Sequence, residues 1–254
     1  MTDNDTSIRL RLGVEPANPP VVHARGELDY RNCDQLGAFL NEVIDEHGPT
    51  IRLELAALEF VDSSGIKALG VAAKAAAAAS GSLIISSLGP QLLRVLEVTG
   101  FRELFEIPPD CRIVRKAEPE EPAEGELCDF HIAPGADACR TARDSVCDFA
   151  ENLGFNASAV DDIRLAVGEA FSNAVRHGQA AEAPIQIRCR EIEDRLLIEL
   201  KYPGDLFYPD RIPLPTAESG CEGGMGIYFM RLVMDAVEYD FRDGYTHLVL
   251  EKRR

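Results

Sequence analysis

The chain has 254 residues, 46% of them hydrophobic and 27% charged, which is the composition of a globular protein with one or two domains. Its formal net charge of −17 argues against binding to a nucleic acid backbone, because such binding needs a basic face. No apolar run reaches the roughly 18 to 20 residues of a membrane span. The first residues also lack the basic and apolar regions of a signal peptide, so we expect a cytoplasmic protein with no membrane partner.

The cysteines are scattered, without a C-x-x-C pair and without histidines at zinc-finger spacing. We therefore expect reduced thiols that mostly fill the core. They are Cys33, Cys111, Cys128, Cys139, Cys147, Cys189 and Cys221.

The charge distribution predicts two domains. Residues 1–116 carry 16 acidic and 12 basic side chains, whereas residues 117–254 carry 27 acidic and 14 basic ones. Between the halves, residues 117–126 hold five Glu, two Pro and one Gly and no bulky apolar residue, which is typical of an extended, solvated linker. The predicted boundaries are a first domain over 8–112, a linker over 113–127 and a second domain over 128–254.

The first domain reads as alternating strands and helices, which implies an α/β fold. Leu36, Phe39, Leu40 and Val43 recur at helical spacing and predict an amphipathic helix. The predicted strands cover 21–24, 51–55 and 83–85, and the predicted helices cover 33–44, 65–79 and 91–96.

The second domain is also predicted to be α/β. Its longest helix, over 158–176, opens with Ser158 and Asp161 as the expected capping pair. The Pro- and Gly-rich residues 203–224 exceed an ordinary connection and suggest a lid or binding loop. The other predicted helices cover 136–153 and 225–234, and the predicted strands lie at 185–188, 196–200, 237–239 and 247–250.

A D-S-S-G turn at residues 62–65 joins a predicted strand to a helix, a junction that we expect to expose its serines. A phosphate added to Ser63 or Ser64 could bind the free N–H groups of the helix and would add charge beside Asp62. Such charge would repel an acidic partner. The alternative is that Ser63 or Ser64 is simply the helix N-cap.

Residues 8–110 resemble the STAS domain of bacterial anti-sigma factor antagonists. The likeness is carried by G-E-L-D at 26–29, D-S-S-G at 62–65 and L-E-V-T-G-F at 96–101. It implies a mixed sheet with helices, and it implies that Ser63 is the phosphoacceptor. Asp29 would lie near the same surface, so that Asp29, Asp62 and Ser64 would form a switch surface around the acceptor. Phosphorylation in that family releases the antagonist from its kinase partner.

In the long predicted helix of the second domain, the expected buried stripe consists of Ile163, Val167, Ala170 or Phe171, and Ala174. Glu169 and Asn173 stand one turn apart on one face, with His177 one turn further. Hard oxygen ligands of this kind suit Mg²⁺. A plain polar helix face gives the same pattern, and the pair alone does not distinguish the two.

Glycines precede the last predicted helix, where backbone N–H groups can cradle phosphates. The order E-x-x-x-N at 169–173, then P-G-D-L-F at 203–207, then G-G-M-G at 223–226 resembles the N box and the two glycine boxes of GHKL ATPases, in particular the anti-sigma factor serine kinases. This likeness covers residues 130–254 and implies a GHKL-type α/β sandwich.

The resemblance implies ATP and Mg²⁺ as cofactors. Glu169 would be the general base and Asn173 the Mg²⁺ ligand, while Gly204, Gly223, Gly224 and Gly226 would contact the nucleotide or form the lid hinge. One residue departs from the pattern: Tyr202 stands where the family has the Asp that hydrogen-bonds adenine, and Leu206 replaces the second glycine of that box.

Two functions therefore stay open. One is a partner-switching regulator that combines an antagonist with a serine kinase for Ser63. The other is a pseudokinase that has lost ATP binding and sequesters a sigma factor or a STAS partner. A metabolic α/β enzyme is disfavoured, because the chain has no catalytic triad, Walker loop or dinucleotide fingerprint.

The resemblance implies STAS and anti-sigma-kinase domains as partners, in cis or in trans, together with a sigma factor and a PP2C-type phosphatase. Kinases of this kind commonly form homodimers, and the sequence leaves the oligomeric state open.

Overall fold

The computed structural model describes residues 10–114, 127–133, 135–178, 183–204 and 224–254. They fall into two compact units, one formed by residues 10–114 and the other by the described residues from 127 onward. Most of the predicted linker and residues 205–223 of the predicted lid lie outside the described residues.

The first unit is a five-stranded mixed sheet with helices. The strands follow the order β1-β2-β3-β4-β5, and only the β1–β2 pair is antiparallel. The mixed sheet predicted for this half is thus confirmed. Its strands and helices are β1 (Arg11–Glu15), β2 (Val21–Leu28), α1 (Cys33–His47), β3 (Ile51–Val61), α2 (Ser63–Ala78), β4 (Leu83–Leu88), α3 (Pro90–Val98), a short 3-10 helix (Phe101–Leu104) and β5 (Arg112–Ile113).

The core of this unit follows the apolar periodicity of the sequence. Leu36, Leu40 and Val43 of α1 are buried as predicted, whereas Phe39 is half-buried. The prediction missed β1, because an edge strand with mostly exposed side chains carries no clear period-two pattern. It also missed β5, where Ile113 pairs with Leu88, one residue beyond the predicted end of the domain.

The second unit is a five-stranded antiparallel sheet with three helices. The strand order is β6-β7-β8-β10-β9. An α/β fold was predicted here, and the sheet with its helix layer confirms it. Its strands and helices are β6 (Cys128–Ile132), α4 (Ala138–Asn152), α5 (Ala157–His177), β7 (Ile185–Ile192), β8 (Arg195–Pro203), α6 (Met225–Val233), β9 (Ala236–Arg242) and β10 (Tyr245–Arg253).

Helix α5 is the centre of this unit, and its predicted apolar stripe is fully buried. Its predicted capping pair is wrong. The helix begins at Ala157, and the N-cap is Asn156, whose side-chain oxygen accepts a hydrogen bond from the Ala159 N–H at 3.0 Å. Because the helix starts earlier than expected, Ser158 and Asp161 lie inside it, where neither can act as the N-cap.

The six cysteines within the described residues are free thiols, as predicted, and Cys221 lies outside those residues. Only three of the six are buried, so the expectation that cysteines mostly fill the core holds for Cys139, Cys147 and Cys189 alone. Across the described ranges, no helix combines the length and apolarity that a membrane span requires.

Candidate functional site

The D-S-S-G turn of the first unit is organised by Asp62, which is the N-cap of α2. One carboxylate oxygen accepts hydrogen bonds from the Ser64 N–H at 2.8 Å and the Gly65 N–H at 3.0 Å. The alternative prediction that Ser63 or Ser64 caps the helix is therefore wrong. Asp takes this position because its carboxylate also interacts favourably with the positive end of the helix dipole.

The same carboxylate joins this turn to a second one. Its other oxygen accepts a hydrogen bond from the Tyr30 N–H at 3.0 Å, and the Asp62 N–H donates to the Leu28 carbonyl at 3.0 Å. Gly65 lies tight against the end of β2, since a Cβ there would stand 2.6 Å from Cγ of Leu28. The D-S-S-G turn and the turn after β2 are thus one packed unit.

Asp29 organises the turn after β2. Its carboxylate accepts hydrogen bonds from the Arg31 guanidinium at 2.5 to 3.1 Å and from the Arg31 N–H at 2.9 Å. Arg31 also reaches the carboxylate of Glu27 at 3.7 Å. Glu27 and Asp29 are almost wholly buried, at 5% and 0% exposure.

These contacts correct two expectations about the first site. Ser63 is only 5% exposed, so the turn does not expose both serines, although Ser64 is half-buried. Asp29 and Asp62 are both 0% exposed and cannot form a switch surface that a partner touches directly. Their carboxylates accept hydrogen bonds from backbone N–H groups of the two turns and from the Arg31 guanidinium. Burial of a carboxylate without such bonds would cost free energy.

In the second unit, the structure brings Glu169, Asn173 and Gly226 together. A Cβ on Gly226, at the start of α6, would stand 2.5 Å from Oε2 of Glu169 and 3.3 Å from both side-chain polar atoms of Asn173. Glu169 is 0% exposed and Asn173 is half-buried. The missing side chain at Gly226 therefore lets the first turn of α6 approach both polar groups of α5.

The other predicted glycines have different positions. Gly224 is the N-cap of α6 and has a left-handed φ of 75°, a conformation that favours glycine. Gly204 follows β8, and a Cβ there would stand 2.7 Å from Oγ1 of Thr246. Gly223 lies outside the described residues.

Tyr202, the departure from the kinase pattern, is buried at 3% exposure. It stands opposite Thr246 in the β8–β10 ladder, and the two hydroxyls share a hydrogen bond. The ring packs against the end of α5, where a Cβ on Gly178 would lie 2.9 Å from Cδ2 of Tyr202. Burial raises the pKa of the Tyr202 phenol to about 12, although the Thr246 hydrogen bond lowers it. The phenol is therefore neutral at neutral pH.

Tyr239 of β9 belongs to the same surroundings and was not singled out from the sequence. Burial raises the pKa of its phenol, with the Tyr202 phenol and the Glu169 carboxylate adding to the increase, while Asn173 and Arg231 oppose it. Tyr239 and Thr246 could not be found from sequence spacing, because α6, β9 and more than 20 further residues separate β8 from its partner β10 along the chain. We call Glu169, Asn173, Tyr202, Tyr239 and Thr246 the polar cluster.

His177, one turn beyond Asn173 on α5, is exposed. Partial burial, and then the neighbouring Arg176, lower the pKa of its imidazole, which favours the neutral ring. Within the described residues, no group of three or more His, Cys, Asp and Glu side chains could hold a metal ion. A divalent ion at Asn173 would need ligands supplied by a bound substrate or by water.

Comparison with known proteins agrees with this geometry. A family model described as a histidine kinase-like ATPase domain matches residues 132–252, and a STAS domain model matches residues 13–113. The anti-sigma F factor of Clostridium acetobutylicum is 32% identical over 118 residues, which are 44% of this chain and 82% of that protein. The chain belongs to the anti-sigma factor family, as a fusion of a STAS domain with a histidine kinase-like ATPase domain.

Two further relatives can be compared with this fusion. The serine-protein kinase RsbW of Bacillus subtilis is 32% identical over 107 residues, covering 38% of this chain and 67% of that kinase. A crystal structure of an anti-sigma factor antagonist from Mycobacterium paratuberculosis is 25% identical and covers 40% of this chain and 86% of its own, with a TM-score of 0.36.

Proposed function

We propose that this chain is a partner-switching regulator whose ATPase-like domain is a serine kinase and whose STAS domain carries the acceptor, Ser63. The pairing of the two family models within one chain supports partner switching. The single observation that carries the kinase proposal is the close approach of Glu169 and Asn173 to Gly226. A carboxylate and a carboxamide therefore lie beside the start of α6, at a position without a side chain.

The phosphate side of this arrangement fits Mg-ATP. The first turn of α6 offers free N–H groups beside Gly224 and Gly226, and such a helix start favours phosphate. Asn173 would ligate the ion, and the backbone around Gly224 would hold phosphate oxygens. The bound Mg-ATP would supply the phosphoryl group and neutralise its developing charge.

Ser63 and Glu169 would then take part directly in the phosphoryl transfer. The Ser63 hydroxyl loses its proton to the Glu169 carboxylate while its oxygen forms the new bond to the γ-phosphorus. The bond from that phosphorus to the bridging oxygen breaks, and ADP leaves with the electron pair. Glu169 and Ser63 are 0% and 5% exposed, so both must be uncovered before the transfer.

The acceptor serine can belong to the same chain or to another one. A linker of about ten residues spans roughly 30 Å when extended, and such a tether gives an effective concentration near the millimolar range. The partners that this proposal includes are STAS and anti-sigma-kinase domains, a sigma factor, and a PP2C-type phosphatase that removes the phosphate. Relatives named as an anti-sigma F factor and a serine-protein kinase support this set.

The test is phosphotransfer in the full chain. Purified protein is incubated with Mg-ATP, and phosphorylated peptides are located by mass spectrometry. We expect phosphate on Ser63, no phosphate at that position in Ser63→Ala, and strong loss in Glu169→Gln. Mixing Glu169→Gln with Ser63→Ala separates the two routes, because only transfer between chains can then modify Ser63. A chain that stays unmodified under all conditions would contradict the kinase proposal.

The second candidate function is a binding module that holds its partner without transferring phosphate. The observation that favours it is the burial of Tyr202. Its phenol hydroxyl is hydrogen-bonded to Thr246, and the side chain offers no carboxylate acceptor to an adenine amino group. Loss of one charged hydrogen-bond partner costs about 1.5 to 3 kcal/mol, or roughly ten- to a hundredfold in affinity. Under this function, the chain binds a STAS partner or a sigma factor equally well with and without Mg-ATP.

A further inference from the structure

The two turns of the STAS unit share one carboxylate. Asp62 caps α2 with one oxygen and accepts the Tyr30 N–H with the other, so a single side chain links the acceptor turn to the turn that leads into α1. Asp62 is 0% exposed, so its hydrogen bonds are not exchanged freely with water.

Ser63 is the first residue of α2 and directly follows Asp62. A phosphate on Ser63 would therefore compete with the Asp62 carboxylate for the Ser64 and Gly65 N–H groups. Phosphate carries nearly two negative charges and three acceptor oxygens, so it is the stronger ligand for a helix start. Two anions in one small, poorly solvated volume also repel each other strongly.

Two buried carboxylates in the same pair of turns add to the negative charge that a phosphate would bring. Glu27 and Asp29, both buried, belong to the same pair of turns. The guanidinium of Arg31 is already engaged by the Asp29 carboxylate at 2.5 Å and approaches that of Glu27 at 3.7 Å. Its charge is thus shared between two carboxylates before any phosphate is present.

We infer that Asp62 is a relay: phosphate on Ser63 displaces its carboxylate, releases the Tyr30 N–H and loosens the turn of residues 29–32 at the start of α1. This inference rests on the proposed role of Ser63 and adds the path by which the modification spreads. The phosphate then alters two neighbouring turns, so a partner can sense the modification at the start of α1 as well as at the serine.

The test measures hydrogen exchange of the Tyr30 amide in the full chain. Phosphoserine is introduced at position 63 during translation, so the result does not depend on which kinase modifies this residue. We expect the Tyr30 amide to exchange at least about tenfold faster in the phosphorylated chain, since loss of one hydrogen bond is of that order. The Ala159 amide, which Asn156 caps in the other unit, should not change.

Asp62→Asn is the matched variant, because Asn is also a good N-cap but cannot satisfy both helix amides and the Tyr30 N–H with acceptor oxygens. In this variant the Tyr30 amide should exchange fast already, and phosphoserine at 63 should add little. A Tyr30 amide that keeps its protection in the phosphorylated wild-type chain would overturn the relay. Failure of the Mg-ATP phosphotransfer assay would instead overturn the proposed kinase and leave the relay standing.

Discussion

Tyr202 and Thr246 face each other across β8 and β10, and their buried hydroxyls share a hydrogen bond. Tyr202 is the residue that the resemblance to anti-sigma factor serine kinases aligns with an adenine-binding carboxylate. In the same domain, a Cβ on Gly226 would lie 2.5 Å from Oε2 of Glu169 and 3.3 Å from the side-chain polar atoms of Asn173.

Restoring the carboxylate should therefore strengthen nucleotide binding. We predict that Tyr202→Asp tightens Mg-ATP binding by about ten- to a hundredfold, because a charged hydrogen-bond acceptor returns to the site. Isothermal titration calorimetry measures the change. Tyr239→Phe is the control, as it removes a neighbouring phenol without adding an acceptor, and equal affinities in the two variants would show that Tyr202 does not limit binding.

A side chain at position 226 should reduce the stability of the second unit. The methyl group of Gly226→Ala would stand 2.5 Å from Oε2 of Glu169, and that carboxylate is buried and cannot move aside cheaply. We expect a loss of about 1 to 3 kcal/mol in the free energy of unfolding. Gly37→Ala is the control: among the described residues, no atom beyond its chain neighbours and its own helix backbone lies within 4 Å of the added Cβ, so the helix should gain about 0.5 to 1 kcal/mol. Urea denaturation compares them, and similar effects would contradict the packing argument.

Lys252 joins three elements of the second unit. Its Nζ lies 2.7 Å from Oδ2 of Asp162 in α5 and 2.7 Å from the Val233 carbonyl at the end of α6. Because Asp162 is 6% exposed, Lys252→Met should remove a buried charged hydrogen bond from this carboxylate and cost about 1.5 to 3 kcal/mol. Arg242→Met is the matched surface control, since its pair with Asp240 is exposed and should contribute less than about 1 kcal/mol. Comparable losses by thermal denaturation would refute the distinction.

The Glu54 carboxylate of β3 forms hydrogen bonds with residues of β4 and β5. Its carboxylate accepts hydrogen bonds from Ser87 at 2.6 Å, Ser86 at 3.0 Å and Arg112 at 2.8 Å. Burial raises the pKa of this carboxyl, but these hydrogen bonds and the Arg112 charge outweigh burial and lower it overall.

A carboxyl group with a lowered pKa stabilises the fold above its unfolded-state pKa, and that contribution is lost as the pH falls through the folded-state pKa. The wild type should therefore be more stable than Glu54→Gln at neutral pH, and the difference should shrink on acidification. Denaturation at several pH values measures it. A difference that stays constant down to about pH 3 would contradict this role.

Cysteine reactivity should follow burial. Burial raises the pKa of the Cys147 thiol to about 12, so almost no thiolate exists near neutral pH. Iodoacetamide should alkylate the half-buried Cys33, Cys111 and Cys128 well before Cys147, as peptide mass spectrometry can establish. Cys147 reacting as fast as Cys33 in the native protein would show that this part of the core opens readily.

Sequence patterns predicted the features that depend on local order. The apolar stripes of α1 and α5 and the adjacency of Glu169 and Asn173 follow from helical spacing, and the structure places them as expected. The edge strands β1 and β6 were missed. The side chains of β1 are mostly exposed and show no clear alternation, whereas β6 alternates over only five residues directly after the predicted linker.

Contacts between distant segments could not be predicted. The bond from Asp62 to the Tyr30 N–H joins residues 32 positions apart and depends on the parallel pairing of β2 with β3. The same limit applies to Thr246 opposite Tyr202, which depends on the β8–β10 register. The burial of Ser63 contradicts the expectation that a strand-to-helix junction exposes its serines, because a hydroxyl group at a tight turn can lie inside it.

The central claim is that the ATPase-like domain uses Mg-ATP, and a calorimetric titration of Mg-ATP into the full-length protein tests it most directly. The account predicts saturable binding that Asn173→Ala abolishes, because Asn173 would hold the ion beside the start of α6. Absence of binding heat up to about millimolar ATP would contradict the kinase and leave the binding module as the function of this domain.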